Sequence, residues 1–211
     1  MDDYYDLGTY RFPVSTTSPE AQLWFDRGLL WTYGFNHEEA ITCFRNALEH
    51  DPDCAMAHWG IAYAAGPNYN LPWRLMDDQM TAGALAIIWP AMQSALALVD
   101  TANPVEQALI RALPARYQSE TPLDDMSPWD DAFADAMRKA HQSMPDQLEI
   151  ACILAEAMMT RTPWLMWDLP TGQPMPGADT VECMALLERA MALPDGDQHP
   201  GLTHLYVHLM E

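Results

Sequence analysis

The sequence predicts an all-α protein in which helical hairpins stack into a right-handed superhelix. Three observations favour this fold. Residues 21–52 follow the spacing of a two-helix repeat, helix starts recur as a polar cap followed by proline, and no segment keeps up the alternation of apolar and polar residues that marks a strand. With 49% apolar residues, the 211-residue chain can also build the continuous core that such a stack requires.

The first repeat reads "AQLWFDRGLLWTYGFNHEEAITCFRNALEHDP". Its landmark residues have the offsets of a tetratricopeptide repeat, and they are Trp24, Gly28, Trp31, Ala40, Phe44, Ala47 and Pro52. We expect the small residues to mark close approach of helices A and B, the aromatic residues to fill the space between them, and the proline to end helix B. Arg27 departs from the pattern, which usually has leucine there.

Other helices are predicted from their starts. The cap-and-proline pairs are Ser18-Pro19, Asn103-Pro104, Ser127-Pro128 and His199-Pro200. With the hydrophobic periodicity, they predict nine helices and no sheet. The helices are expected near residues 19–34, 37–50, 54–65, 76–99, 103–117, 128–142, 146–160, 178–192 and 200–211. Residues 1–211 are expected to form a single domain, with an extended segment at 1–17 and a Pro-, Gly- and Trp-rich insertion at 161–178.

Composition limits the partners and the compartment. Thirty acidic residues face ten basic ones, and the net charge of −20 would repel nucleic acid and anionic membranes. Apolar runs such as "AGALAIIWPAM" are shorter than the ~20 residues that span a bilayer, and the acidic N-terminus is unlike a secretory signal, so a cytoplasmic location is expected. The cysteines form no CxxC pair and are expected to be buried free thiols; they are Cys43, Cys54, Cys152 and Cys183.

Four segments carry a resemblance to a known family. They read "GFNHEEAITCFRNALEHDPDCAMAHWGIAYAAGPNYNLPW", "MPDQLEIACILAEAMM", "PWLMWD" and "HPGLTHLYVHLME". Together they resemble a widespread bacterial family of tetratricopeptide-repeat proteins, and the resemblance covers nearly the whole chain. It implies a helical scaffold and no particular reaction. Members of that family are longer, so the resemblance also implies that this chain is the N-terminal portion of a longer protein.

The last helix carries the candidate metal site. At 100° per residue His204, His208 and Glu211 share one face, and two histidines four residues apart are spaced to chelate zinc, copper or iron. The competing interpretation is the plain polar side of an amphipathic helix. On the other side an apolar stripe of leucines has no following helix to cover it, so we expect self-association or a partner there; the stripe is Leu202, Leu205 and Leu209.

Three further residues are candidates for the same site. His199 is expected to cap the last helix, so helical geometry keeps it off the His204 stripe. His37 lies at the turn between helices A and B, where a capping role is the alternative. Glu156 is a carboxylate on a largely buried helix, where its partner could be an arginine as easily as a metal ion.

Two functions remain open from the sequence. The first is a non-catalytic scaffold whose acidic concave groove binds a protein, peptide or small molecule. The second is a metal-dependent hydrolase or oxygenase built on the histidine and glutamate residues of the groove. The chain contains no Gly-rich phosphate loop and no GxSxG motif. Trp164, Trp167 and Asp168 in the insertion could form either a lid over the groove or an aromatic plug between repeats.

Overall fold

The protein is a stack of α-helices. The computed structural model describes residues 4–211, so the first three residues of the predicted segment 1–17 lie outside the described residues. The helices of this part of the chain are α1 (Pro19–Tyr33), α2 (His37–His50), α3 (Ala55–Ala64), α4 (Asp78–Ala97), α5 (Pro104–Arg116), α6 (Ser127–Ser143), α7 (Leu148–Arg161), α8 (Thr180–Met191) and α9 (Pro200–Met210). Each begins and ends within about two residues of its predicted bounds, and the all-α prediction is confirmed.

The prediction of no sheet is wrong in one place. In the insertion, β1 (Trp167–Asp168) pairs antiparallel with β2 (Gln173–Pro174). The intervening turn uses Gly172 in the left-handed region, at φ 66°, which glycine adopts without steric cost. Two residues per strand are too few to show the alternation of apolar and polar residues that marks a strand in a sequence.

At Gly28 and Phe44 the first hairpin has the packing that its landmarks predict, whereas Trp24 and Trp31 are only partly buried and contact Tyr4 and Tyr5. Only three residues connect α1 and α2, and the two helices lie against each other. The Phe44 ring is fully buried, and a Cβ atom built on Gly28 would lie 2.6 Å from it. A Cβ atom on Gly60 of α3 would lie equally close to the same ring. The volume of the Phe44 ring therefore requires glycine at both position 28 and position 60.

Replacement of these glycines has an expected cost. Gly28→Ala should lower the free energy of unfolding by about 1–3 kcal/mol, because the buried Phe44 ring must move into a packed core. The matched control is Gly83→Ala in α4, where an added Cβ meets nothing within 4 Å and should gain about 0.5–1 kcal/mol from helix propensity. Urea unfolding followed by circular dichroism measures both changes. Equal effects of the two substitutions would contradict the close packing at Gly28.

Arg27, the departure from the repeat pattern, packs on aromatic rings. Its guanidinium carbon lies 4.2 Å from the centroid of Tyr4 and 4.5 Å from that of Trp24. A guanidinium over a ring face is attracted by the ring quadrupole. The arginine therefore helps to hold the N-terminal segment against α1.

The odd-numbered helices meet one another inside the stack. Besides the contacts between consecutive helices, α1 contacts α3 and α9, α3 contacts α5, and α7 contacts α9. The contact between α1 and α9 brings the first and last helices together. The odd-numbered helices are therefore linked by contacts in the order α5, α3, α1, α9 and α7.

This closure overturns the prediction of an exposed apolar stripe on the last helix. Leu202, Leu205 and Leu209 are all buried, with exposed fractions of 0%, 3% and 0%. A following helix is not needed to cover these leucines, because α9 packs on α1, α7 and α8. Val207 and Met210 are the exposed large apolar residues of α9, and self-association through this helix stays a prediction.

Among residues 4–211, one helix, α4, is long and apolar enough to cross a bilayer by length and composition. One such helix is weak evidence for a membrane span, because a core helix of a soluble protein passes the same test. Its buried face includes Leu85, Ile88 and Met92, and its exposed positions are mostly small or polar. The cytoplasmic location stays a prediction.

Candidate functional site

His204 and His208 form a close pair on α9. Their Nε2 atoms face each other at 3.0 Å, and their ring centroids are 4.7 Å apart. The Nδ1 atom of His204 lies within hydrogen-bond distance of the Tyr33 carbonyl oxygen, and Nδ1 of His208 lies 3.1 Å from Glu211 Oε2. The helical spacing thus brings the pair together as predicted. Tyr33, at the end of α1, was not anticipated from the sequence.

Phe35 packs against both imidazoles. Its ring centroid lies 4.6 Å from that of His204 and 5.3 Å from that of His208. Phe35 has a φ of 60°, in the left-handed region that non-glycine residues rarely adopt. This conformation follows directly from the tight turn between α1 and α2. Tyr69 covers another side of His208, at 5.6 Å between centroids, so the pair lies in a half-buried aromatic setting.

His199 lies outside this pair, as helical geometry predicts. Its Nδ1 accepts a hydrogen bond from the backbone N–H of Leu202, which confirms the capping role. Its Nε2 lies 3.0 Å from the Tyr10 hydroxyl and 3.3 Å from Glu149 Oε1. Both ring nitrogens are therefore engaged at the start of α9, away from His204 and His208.

Glu156 has an arginine partner. It accepts hydrogen bonds from the Tyr63 hydroxyl and from Arg116 Nη1, the latter at 3.3 Å. Both side chains of the ion pair are buried, with exposed fractions of 2% for Arg116 and 8% for Glu156. Arg116 also donates to the carbonyl of Pro67. This polar cluster joins α3, α5 and α7 at the centre of the stack, and Glu156 is held there rather than beside His204.

His37 lines a small cavity between α1, α3, α7 and α9. The same cavity is lined by Tyr33, Phe35, Tyr63 and Glu156. The volume in which the centre of a water molecule can lie is about 20 Å³. That is room for one water. Burial lowers the pKa of His37, and the negative charge of Glu156 opposes that shift. Its ring nitrogens have no hydrogen-bond partner among the described residues.

The six predicted ligands therefore do not meet at one point. Within residues 4–211, no group of three or more His, Cys, Asp or Glu side chains is placed to hold a metal ion. His204 and His208 are close together, whereas His199 is tied to Tyr10 and Glu156 to Arg116. Glu211 approaches the Nδ1 side of His208 rather than the space between the two Nε2 atoms. No local sequence pattern identifies Tyr10 or Arg116 as the partner of these side chains.

A polar pocket of about 190 Å³ lies where α6 and α7 approach residues 72–74. Trp73, Arg74, Asp130 and Arg161 contribute to its wall. Burial raises the pKa of Asp130 to about 7, and the nearby positive charge of Arg116 opposes that rise. A carboxyl group with a perturbed pKa in a cleft is a feature that functional sites share with buried ion-pair networks. Sequence reasoning missed Asp130, because "WDDA" is typical of the exposed first turn of a helix.

The four cysteines are free and buried, as predicted. Burial raises the pKa of the Cys43 and Cys54 thiols to about 11 and that of Cys183 to about 12. The pKa of Cys152 is raised well above its ordinary value for the same reason. Because the thiolate is the reactive form, none of these side chains is suited to act as a nucleophile at neutral pH.

The insertion lies over the end of α9. Trp167 donates a hydrogen bond from Nε1 to the Leu209 carbonyl at 2.5 Å, which satisfies one of the last carbonyls of that helix. Trp164 is about half exposed, at 49%, and lies 6.3 Å from Tyr69 between centroids. Through Tyr69 the insertion reaches the surroundings of His208. Trp167 thus packs as part of the helix end, and Trp164 remains at the surface.

Comparison with known proteins gives no family. No protein-family model matches the chain, and no curated protein matches it either. Membership of the tetratricopeptide-repeat family therefore stays a prediction from the sequence motifs.

Proposed function

We propose that the chain is a tetratricopeptide-like helical-repeat scaffold, stacked as a right-handed superhelix, whose A-helix side binds an extended peptide or protein segment. The odd-numbered helices are the A helices of this proposal, and their mutual contacts support it. The net charge of −20 favours a partner with positive charge. In this proposal the scaffold binds its partner without catalysing a reaction, as the surfaces of helical-repeat proteins commonly do.

The main support for the proposal is that the helices bind the protein's own extended N-terminal segment. Residues 5–16 contain no helix or strand, and side chains of α1 bind their backbone. Gln22 donates from Nε2 to the Phe12 carbonyl at 2.8 Å and accepts from the Val14 N–H at 2.9 Å. Asp26 accepts from the Phe12 N–H at 3.1 Å. An extended peptide from another molecule presents the same donors and acceptors.

Other A helices hold the same segment. Glu106, in the first turn of α5, accepts a hydrogen bond from the Ser15 N–H at 2.7 Å. Tyr10 contacts His199 at the start of α9, with 4.9 Å between ring centroids. The segment thus crosses α1, α5 and α9. Side chains of α1 and α5 thus bind the backbone of the segment, and the Phe12 ring packs against Phe25, with 6.3 Å between centroids.

A peptide-binding experiment tests the proposal in the full chain. The probe is a fluorescent peptide with the sequence of residues 9–16, "TYRFPVST". The variant Tyr10→Ala/Phe12→Ala loosens the attached segment, so it should bind the probe at least about tenfold more tightly than the wild type, whose own segment competes. Fluorescence anisotropy gives both dissociation constants.

The controls are on α1 itself. Adding Gln22→Ala to the loosened variant should abolish binding, because Gln22 makes two of the backbone contacts. Adding Glu20→Ala, an exposed first-turn residue of the same helix, should leave binding unchanged. If the loosened variant binds the probe no better than the wild type, or if Gln22→Ala has no effect, the proposal is wrong.

A further inference from the structure

We propose that the Nε2 atoms of His204 and His208 form a two-histidine site for a divalent transition metal ion, with Tyr33 and Glu211 as outer partners that orient the rings. The proposal goes beyond peptide binding by the scaffold and does not depend on it. It stands on the hydrogen-bond partners of the two rings, Tyr33 and Glu211, and on the 3.0 Å separation of the two Nε2 atoms.

The hydrogen-bond partners determine which nitrogen of each ring carries a proton. A backbone carbonyl oxygen only accepts, so His204 donates from Nδ1 to Tyr33. A carboxylate also only accepts, so His208 donates from Nδ1 to Glu211 Oε2. In the neutral form of each ring the remaining nitrogen, Nε2, then carries a lone pair. Two lone pairs therefore face each other across 3.0 Å.

Facing lone pairs repel unless a cation lies between them. A proton can take that place, and one imidazole is then charged. A metal ion can take it while both rings stay neutral. Two nitrogens that each lie about 2.0–2.1 Å from one zinc ion, at roughly tetrahedral to right angles, are about 2.9–3.4 Å apart. The observed separation of 3.0 Å is within this range.

The outer partners are those that metal-bound histidines use. Such rings almost always donate their other N–H to a carboxylate or a backbone carbonyl, which sets the tautomer and the ring orientation. His204 has the carbonyl and His208 the carboxylate. Glu211 is therefore an outer partner, and this replaces its predicted role as third ligand. Phe35 and Tyr69 pack on the rings and restrict their rotation.

The donor set specifies the class of ion. Imidazole nitrogens favour zinc, copper and nickel, whereas magnesium and calcium favour oxygen ligands. Because no third His, Cys, Asp or Glu converges on this point within residues 4–211, the remaining positions of the ion are open to water or to a small exogenous ligand. An open position is also what a catalytic metal site keeps.

Calorimetric titration of the chelator-treated protein with ZnCl₂, with MgCl₂ as the control ion, tests the site. We expect one zinc ion per chain and no magnesium binding. His204→Ala and His208→Ala should each weaken zinc binding at least about tenfold, and Glu211→Gln by less, because an amide oxygen can still accept from His208 Nδ1. His50→Ala, on an exposed position at the end of α2, should change nothing.

A second measurement needs no substitution and so does not depend on the folding of the variants. In ¹⁵N-histidine-labelled protein, zinc should shift the Nε2 signals of two of the seven histidines while their Nδ1 atoms stay protonated. The proposal is overturned if zinc does not bind saturably, if binding survives both alanine substitutions, or if other histidines shift. A loss with Glu211→Gln as large as that with His208→Ala would return Glu211 to the inner shell and overturn the assigned geometry.

Discussion

Arg116→Ala is expected to lower the free energy of unfolding by about 3–5 kcal/mol, because it leaves the carboxylate of Glu156 buried without its cation. The substitution also removes the donor to the Pro67 carbonyl and the stacking on Tyr63 and Phe133, whose ring centroids lie 4.5 and 4.6 Å from the guanidinium carbon. Since this cluster joins α3, α5 and α7, the loss should appear in one cooperative unfolding transition. Urea denaturation gives the value.

The same helix supplies the control. Arg111 also forms an ion pair, with Asp100, but the two side chains are 57% and 93% exposed. Exposed pairs contribute about 0–1 kcal/mol, so Arg111→Ala should change the free energy of unfolding by no more than that. If Arg116→Ala is as mild as Arg111→Ala, the central ion pair does not hold the helices together.

Asp130→Asn is expected to stabilise the protein at pH 8 by about 2–4 kcal/mol and to have little effect at pH 4. Burial raises the pKa of Asp130 from 3.8 to about 7, and each pH unit corresponds to about 1.36 kcal/mol for one proton. A raised pKa means that the protonated carboxyl fits the fold better than the charged one. Asparagine is neutral at every pH and keeps a similar shape.

The direction follows from proton linkage. Well below pH 3.8, the ordinary pKa of this group, the carboxyl is protonated in both folded and unfolded chains, so its contribution is fully present. As the pH rises towards 7 the unfolded chain loses the proton first, and the wild type loses stability relative to the variant. Thermal unfolding between pH 4 and pH 8 measures the difference. Asp135→Asn, at an exposed position of the same helix, is the control; a difference independent of pH would contradict the assigned pKa.

The helices were predictable from local signals. Prolines at the first helical position, polar caps and the landmark spacing of residues 24–52 are all short-range features. The capping box at Asn103 and Glu106 illustrates this, because its two partners are only three residues apart in the chain. The same features miss the insertion hairpin, whose strands are too short to have a period.

The site was only half predictable for a related reason. The His204–His208 pair follows from helical geometry, and so does the exclusion of His199. The partners of His204 and Glu156 lie 171 and 40 residues away in sequence. They depend on the packing of α9 against α1 and on the buried ion pair between α5 and α7, which a hydrophobic pattern does not specify. The position of the Arg116 guanidinium beside Glu156 likewise depends on tertiary structure.

The contact between α1 and α9 places the Tyr33 carbonyl beside His204 and brings the first and last helices together. Anomalous diffraction at the zinc absorption edge, from crystals soaked in zinc, shows whether His204 and His208 share a metal ion there. We expect one peak about 2.0–2.1 Å from both Nε2 atoms, with His204 Nδ1 still bonded to Tyr33. No peak there, or a peak bound by the Glu211 carboxylate without both Nε2 atoms, would contradict it.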